Sequence, residues 1–239
     1  MIRLALFDID STLTLGRCPL MVAATRSAIA AHMGIAGTPE DIAHEGFTEL
    51  RTFTDLGVHC GLDYEISARR ARAAIIAKDA ILVHELARHS GELAPISACA
   101  GGPEFVAMAR DAGVLLGLVT GNTSFAAANK LERAGYRAAD FLVGGYGDQS
   151  IERADLVRSA VAAARELLPD LPWEAVWVVG DTPYDIGAAL EAGAHALGVA
   201  SGHFDLSSLR TAGADLAVSS LHPDGILRAA LGLGPTQGL

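Results

Sequence analysis

Leu4-Ala5-Leu6-Phe7-Asp8-Ile9-Asp10-Ser11-Thr12 begins almost at the start of the 239-residue chain. Four apolar residues in a row, without the polar alternation of a half-exposed strand, predict a strand covered on both faces. The run ends on two carboxylates at i and i+2, which at a strand end can face the same side. Side by side and out of water they repel, a cost that a cation would remove. On this stretch alone, both can also be solvated loop acids.

Working outward, similar apolar runs recur over 114–119, 141–143, 176–179, 196–199 and 216–218. Helical patterns over 102–112, 124–134, 153–167, 184–192 and 205–212 lie between most of them. The alternation predicts an α/β fold: a Rossmann-like, doubly wound parallel sheet built by right-handed crossovers. It fails between residues 14 and 98, where the chain reads as helical throughout. Residues 1–14 and 98–239 are therefore read as the Rossmann-like core, and 15–97 as an inserted α-helical domain. Within the insertion, Thr38-Pro39-Glu40-Asp41 has an N-cap, a proline at N1 and acids in the first turn, so a helix is expected to start there. Asp63 is expected to cap a long helix running toward His89, with Ser90-Gly91 as its stop. Residues 232–239 read as a loose tail.

Composition narrows the function classes. A net charge of −10 offers no footprint for nucleic acid and disfavours an anionic membrane surface. It leaves room for a small anionic substrate, because a metal ion and local cations override the mean field. No stretch approaches the ~20 apolar residues that span a bilayer, and Asp8 interrupts the position a signal peptide fills with apolar residues. Cys18, Cys60 and Cys99 form neither a zinc pattern nor a disulfide framework, which points to a reducing cytoplasm.

Three further segments fall at predicted strand ends, the edge where open α/β sheets bind ligands. Val119-Thr120-Gly121-Asn122-Thr123 ends a strand and opens a helix; its hydroxyl and free N–H groups suit a phosphate oxygen, or form an ordinary N-cap and turn. In Val179-Gly180-Asp181-Thr182-Pro183-Tyr184-Asp185, Thr182 fits an N-cap and Pro183 fits N1. Asp185, three residues after that cap, is either the acidic partner of a capping box or linked to a metal site, and the two are compatible. Ser150-Ile151-Glu152-Arg153, ahead of the helix that contains Arg158, supplies a cation for a site that would join three carboxylates to a phosphate.

Asp8-Ile9-Asp10-Ser11-Thr12, Thr120-Gly121-Asn122 and Gly180-Asp181-Thr182-Pro183-Tyr184-Asp185, in this order and spacing, resemble the signature of the haloacid dehalogenase superfamily. The resemblance spans nearly the whole chain and is closest to the phosphoglycolate-phosphatase-like branch, whose helical cap the 15–97 insertion resembles. It implies a Mg²⁺-dependent phosphatase acting on a small phosphorylated metabolite through an aspartyl-phosphate. By the same resemblance Asp8 would be the nucleophile and Asp10 the acid and then base. Asp8, Asp181 and the Asp10 carbonyl would hold Mg²⁺, with Asp185 on a coordinated water. Thr120, Gly121 and Asn122 would grip the phosphoryl oxygens. Arg153 would stand where the family usually has Lys, with Arg158 as the competing assignment.

Ser11 departs from the glycine commoner in this branch, and Gly46-Phe47-Thr48-Glu49 matches its cap motif only loosely. The cap is expected to set specificity, with Arg17, Arg51, His59 and Tyr64 as polar candidates. The competing readings are a phosphomutase of the same superfamily, a dehalogenase, against which Asp10 argues, and a non-enzymatic binding protein that keeps the fold. The retained Asp8, Asp10 and Asp181 argue against the last.

Overall fold

Strand β1 (Leu4–Phe7) has all four side chains buried, as its unbroken apolar run requires. The computed structural model, which describes residues 2–88 and 96–233, continues from it into a two-residue strand β2 (Thr14–Leu15). Three helices follow: α1 (Pro19–Ala28), prolonged by a wide turn over Ile29–Met33, then α2 (Glu49–His59) and α3 (Tyr64–Arg88). Strand β3 (Ser97–Ala98) returns antiparallel to β2 and closes the base of this helical insertion. Beyond it come α4 (Gly102–Asp111), β4 (Leu115–Thr120), α5 (Ser124–Arg133), β5 (Val143–Tyr146) and α6 (Arg153–Leu167). The chain ends on β6 (Val176–Gly180), α7 (Pro183–Ala192), β7 (His195–Val199), α8 (Leu206–Thr211), β8 (Leu216–Val218) and α9 (Gly225–Ala230).

Six strands make one sheet in the order β5-β4-β1-β6-β7-β8. Every pairing in it is parallel, with Phe7 opposite both Leu118 and Val179. Alternate β1 side chains serve opposite faces. Ala5 and Phe7 pack with Phe105 of α4, Leu131 of α5 and Leu227 of α9. Leu4 and Leu6 pack with Val157 and Val161 of α6, Ile186 of α7 and Leu209 of α8. The expected Rossmann-like α/β core is thus observed, covered on both faces. The helical insertion has an apolar cluster of its own, in which Leu50, Phe53 and Leu56 of α2 meet Ile29, Met33, Ala71 and Ile75.

Three details differ from the sequence expectations. The strand expected over 141–143 runs instead over Val143–Tyr146. Its two glycines carry no β-propensity, but a Cβ on Gly145 would lie 2.1 Å from the Leu156 carbonyl oxygen, so glycine is what lets α6 lie against the sheet. Thr38 and Asp41 do cap one another, yet the turn they open stops at one 3-10 turn, Pro39–Asp41, because the next residues are drawn down onto the core. Helix α9 and the β2–β3 pair, too short to carry periodicity, were not foreseen. Asp63 accepts from the N–H of Glu65 at 2.9 Å and starts α3 as expected. The stop expected at Ser90-Gly91, and all but the first two residues of the 232–239 tail, lie outside the described residues. Among the described residues no helix is long and apolar enough to cross a membrane.

Candidate active site

Strands β4, β1 and β6 lie side by side and end at one edge. Helices α4 and α5 leave it on one face of the sheet and α6 and α7 on the other, so a crevice opens between them. Asp8 follows β1, Thr120 ends β4 and Asp181 follows β6, which brings three segments distant along the chain to one place.

Asp8, Asp181 and Asp185 are all buried, and each offers an oxygen within 4.8 Å of the others. Burial pushes the Asp8 carboxyl up to about 7, against the pull of Arg153 and with Asp185 and Asp10 adding to the rise. Burial also raises Asp181 to about 8, reinforced by the charges of Asp185 and Asp8. Asp185 serves in both of the ways its position allowed. One oxygen accepts from the Thr182 N–H (3.0 Å) and hydroxyl (2.7 Å), completing the capping box of α7. The other, buried and without a hydrogen bond, faces the site. Thr12, not among the expected site residues, donates to Asp181 at 3.0 Å.

Arg153 is 8% exposed and lies in the first turn of α6. Its Nη2 donates to Asp8 (2.7 Å) and to the Val119 carbonyl (3.2 Å), and sits 2.6 Å from the unbonded oxygen of Asp185. Desolvation, which would lower its pKa, is overcome by the carboxylates of Asp185 and Asp8, so the guanidinium is held charged. Its Nε is buried and has no hydrogen-bond partner. Arg158 is turned outward, pairing with Asp155 and Glu191 at the surface. The structure therefore puts Arg153, and not Arg158, against Asp8.

Asp10 is not one of the three clustered carboxylates. Its carboxylate receives the Lys130 ammonium at 2.6 and 2.7 Å and the Asn122 amide at 2.8 Å. Desolvation in the crevice is outweighed by Lys130, and the Asp10 carboxyl is held below the usual carboxylate range. Thr120 is fully buried, and its Oγ accepts from the Asn122 amide at 2.8 Å, leaving the hydroxyl hydrogen free to donate. The Gly121 carbonyl accepts from the Glu49 N–H at 3.0 Å and so holds the start of α2. The expectation of phosphoryl binding falls on the backbone N–H groups of Gly121 and Asn122, while the Asn122 side chain is engaged with Asp10 and Thr120.

The insertion covers the crevice through residues 45–50. The Gly46 carbonyl accepts from Arg153 at 3.1 Å, the Thr48 hydroxyl donates to the Ile151 carbonyl at 3.2 Å, and the Leu50 N–H donates to the Gly147 carbonyl at 2.8 Å. Phe47 packs edge-on against Tyr184 with ring centres 5.0 Å apart. Lys78 of α3, 4% exposed, binds both oxygens of Glu49 (2.7 and 2.6 Å) and approaches Asp79 at 3.1 Å, while Asp79 accepts from Thr123 of the core at 3.0 Å. The cavity is about 470 Å³, with Met21, Val22, Phe53 and Leu82 among its apolar lining beside the charged groups. Of the polar candidates in the insertion, Arg17 lines this cavity. Arg51 instead lies over the Phe47 ring at 4.0 Å, and His59 and Tyr64 are exposed away from the cavity.

Lys130, Lys78 and Glu49 were not legible as site residues. Lys130 stands two helical turns beyond Asn122, and only its long side chain, leaning toward the helix N-terminus, brings it back. A further wall comes from Ser201 and Gly202. The Ser201 hydroxyl bonds the Ser11 carbonyl, and a Cβ on Gly202 would lie 2.0 Å from an Asp181 oxygen, so only glycine fits there.

Ser11 itself has φ +63°, the left-handed region that glycine enters without strain. Ser11→Gly is therefore expected to raise the melting temperature by about 1–3 °C, the strain relief exceeding the added unfolded-state entropy. A calorimetric scan showing a fall would mean that the strain is absent.

Searches of solved structures find the same architecture over almost the full length. A predicted phosphatase from Clostridium acetobutylicum aligns over 98% of this chain and 100% of its own, with TM-score 0.66 and 20% identity. A hydrolase from Pseudomonas syringae aligns over 93% and 95%, with TM-score 0.65 and 22% identity. CbbY from Rhodobacter sphaeroides, crystallised with phosphate, aligns over 93% and 96%, with TM-score 0.61 and 24% identity. At these identities the likeness is one of fold. No curated protein matches the chain in sequence. The model of the haloacid dehalogenase-like hydrolases does match, over residues 2–193, a span that holds Asp8, Asp10, Thr120, Arg153, Asp181 and Asp185, and the chain belongs to that family.

Proposed function

We propose that this hydrolase is a Mg²⁺-dependent phosphatase that cleaves a small phosphorylated metabolite through an aspartyl-phosphate on Asp8. The observation that carries the reading is the buried meeting of Asp8, Asp181 and Asp185 with the Arg153 guanidinium at the crevice floor. Three clustered carboxylates with one cation leave excess negative charge in a desolvated place, and hard oxygen donors suit Mg²⁺. Asp8 and Asp181 would hold the ion together with the Asp10 carbonyl, and the unbonded oxygen of Asp185 would take a water on it. When bound, Mg²⁺ would cancel the repulsion between a carboxylate nucleophile and a phosphate dianion.

The protein's own groups supply the rest. An Asp8 oxygen forms a bond to phosphorus as the bond to the leaving oxygen breaks, and Asp10, in the protonated form that the Lys130 contact disfavours in the resting site, gives that oxygen a proton. Water then attacks the phosphorus of the aspartyl-phosphate, returns a proton to Asp10 and frees phosphate and Asp8. Proton transfer of this kind contributes typically about 10²–10⁴-fold. Arg153, whose Nε has no partner, and the free hydroxyl hydrogen of Thr120 would bind the phosphoryl oxygens. Residues 15–97 act as a cap that excludes water and selects the leaving group. All three cysteines are free, which suits a cytoplasmic enzyme.

The test is a phosphate-release screen over a panel of phosphorylated metabolites, with Mg²⁺ and with excess chelator. Release that survives the chelator, or isomerisation of a sugar phosphate without release, would replace this reading.

Metal binding also has a pH signature. Asp8 and Asp181 are raised from 3.8 to about 7 and about 8, so the metal-free fold is favoured by their protonation. That contribution is complete below about pH 4 and is lost as pH rises through about 7–8. Mg²⁺ requires the ionised forms, so its stabilisation grows over the same window. The melting-temperature gain on adding Mg²⁺ is expected to be larger at about pH 8.5 than at about pH 5.5, and the reverse order would exclude these carboxylates as the ligands.

A further inference from the structure

Lys130 makes three short contacts in the crevice, and none is to the acidic cluster. Its Nζ donates to both oxygens of Asp10, at 2.6 and 2.7 Å, and to the Asn122 side-chain oxygen at 2.8 Å. The Asn122 nitrogen donates in turn to Asp10 and to the Thr120 hydroxyl oxygen, each at 2.8 Å. The three hydrogens of the ammonium and the two of the amide are thus all used. The network also fixes the amide's sense, since a flipped Asn122 would set its NH₂ against the ammonium and its oxygen against the carboxylate.

A carboxylate that is 51% exposed would otherwise sample several rotamers. The clamp removes that freedom, and it does so from α5, within the sheet domain, whatever the insertion above it does. With its donors committed, Lys130 has none left for a substrate oxygen.

We infer that Lys130 is a positioning residue for Asp10, holding with Asn122 the one side-chain orientation from which Asp10 exchanges protons with the reacting oxygens. The inference rests on the acid–base role given to Asp10 above. A proton donor misplaced by about 1 Å loses on the order of 10²-fold, which sets the scale of the effect.

Its test is a double-mutant cycle on magnesium-dependent hydrolysis of p-nitrophenyl phosphate. Lys130→Met is expected to lower kcat at least about 10-fold while KM stays within about threefold, and Lys130→Arg to recover part of the loss. In an Asp10→Asn background, Lys130→Met should cost less than about twofold more, because a residue acting through Asp10 has nothing left to position. Full additivity of the two losses, or a raised KM with kcat unchanged, would overturn the inference and make Lys130 a substrate contact. If Lys130→Met fails to fold, as judged by circular dichroism, Lys130→Gln takes its place, keeping one donor and expected to lose kcat to a smaller degree. Wild-type protein without magnesium-dependent release would sink the phosphatase reading itself, and the positioning role with it.

Discussion

Asp8→Asn is expected to remove turnover of p-nitrophenyl phosphate to below about 1% of wild type while the protein stays folded. The amide is neither a nucleophile toward phosphorus nor a good ligand for a hard cation. Folding should survive because the amide oxygen can still accept from Arg153, which keeps Asp185 as a charged neighbour. Removing one of three crowded carboxylates takes away the desolvation cost of ionising Asp8 and part of the repulsion that adds to the rise at Asp181. The variant should therefore melt at or above the metal-free wild type, and its response to Mg²⁺ should shrink. Residual turnover above that level in a well-folded variant would exclude a covalent route through Asp8. Loss of turnover together with loss of the fold would be uninformative in isolation, so Asp8→Glu is the companion change. It keeps the charge but advances the oxygens by one methylene, and is expected to be folded, responsive to Mg²⁺ and nearly inactive.

Arg153→Ala is expected to lower kcat/KM by about 10²-fold or more at saturating Mg²⁺, and Arg158→Ala to leave it near wild type. The difference follows from placement. The Arg153 guanidinium is buried between Asp8 and Asp185 and keeps an unpartnered donor. Removing it also strands two like charges, a change that typically costs about 3–5 kcal/mol when one partner of a buried pair is deleted. Part of the loss should therefore appear as a lower melting temperature in the absence of metal. Arg153→Lys should recover part of the activity, since an ammonium supplies the charge without the planar guanidinium's further donors. Arg158 pairs with Asp155 and Glu191 on the outside, where such pairs contribute little. A crippled Arg158→Ala beside a near-normal Arg153→Ala would mean that α6 starts elsewhere than at Arg153.

The sheet was legible because its evidence is local. Buried parallel strands need unbroken apolar runs, and the runs at β1, β4, β6 and β7 stand out against the amphipathic helices between them. The strand-end acids were legible for the same reason: a carboxylate directly after such a run stands at the sheet's ligand-binding edge. β5 was expected two residues too early because glycines carry no strand preference, and the packing of Leu156 of α6 against Gly145 is a tertiary contact. Thr38-Pro39-Glu40-Asp41 had every sign of a helix start, yet long-range contacts at Gly46, Phe47 and Thr48 outweigh that local preference after one turn.

From its sequence alone this chain could thus be assigned an α/β core, a helical insertion after the first strand, and Asp8, Asp10, Thr120, Asp181 and Asp185 at one edge. Each of these depends on residues adjacent along the chain or one helical turn apart. The choice of Arg153 over Arg158, the clamp of Lys130 and Asn122 on Asp10, and the buried Glu49–Lys78 pair under the insertion were decided only in the tertiary structure. Long, flexible side chains can reach in many directions, and which carboxylate each one meets depends on how separate elements pack, which no local pattern records.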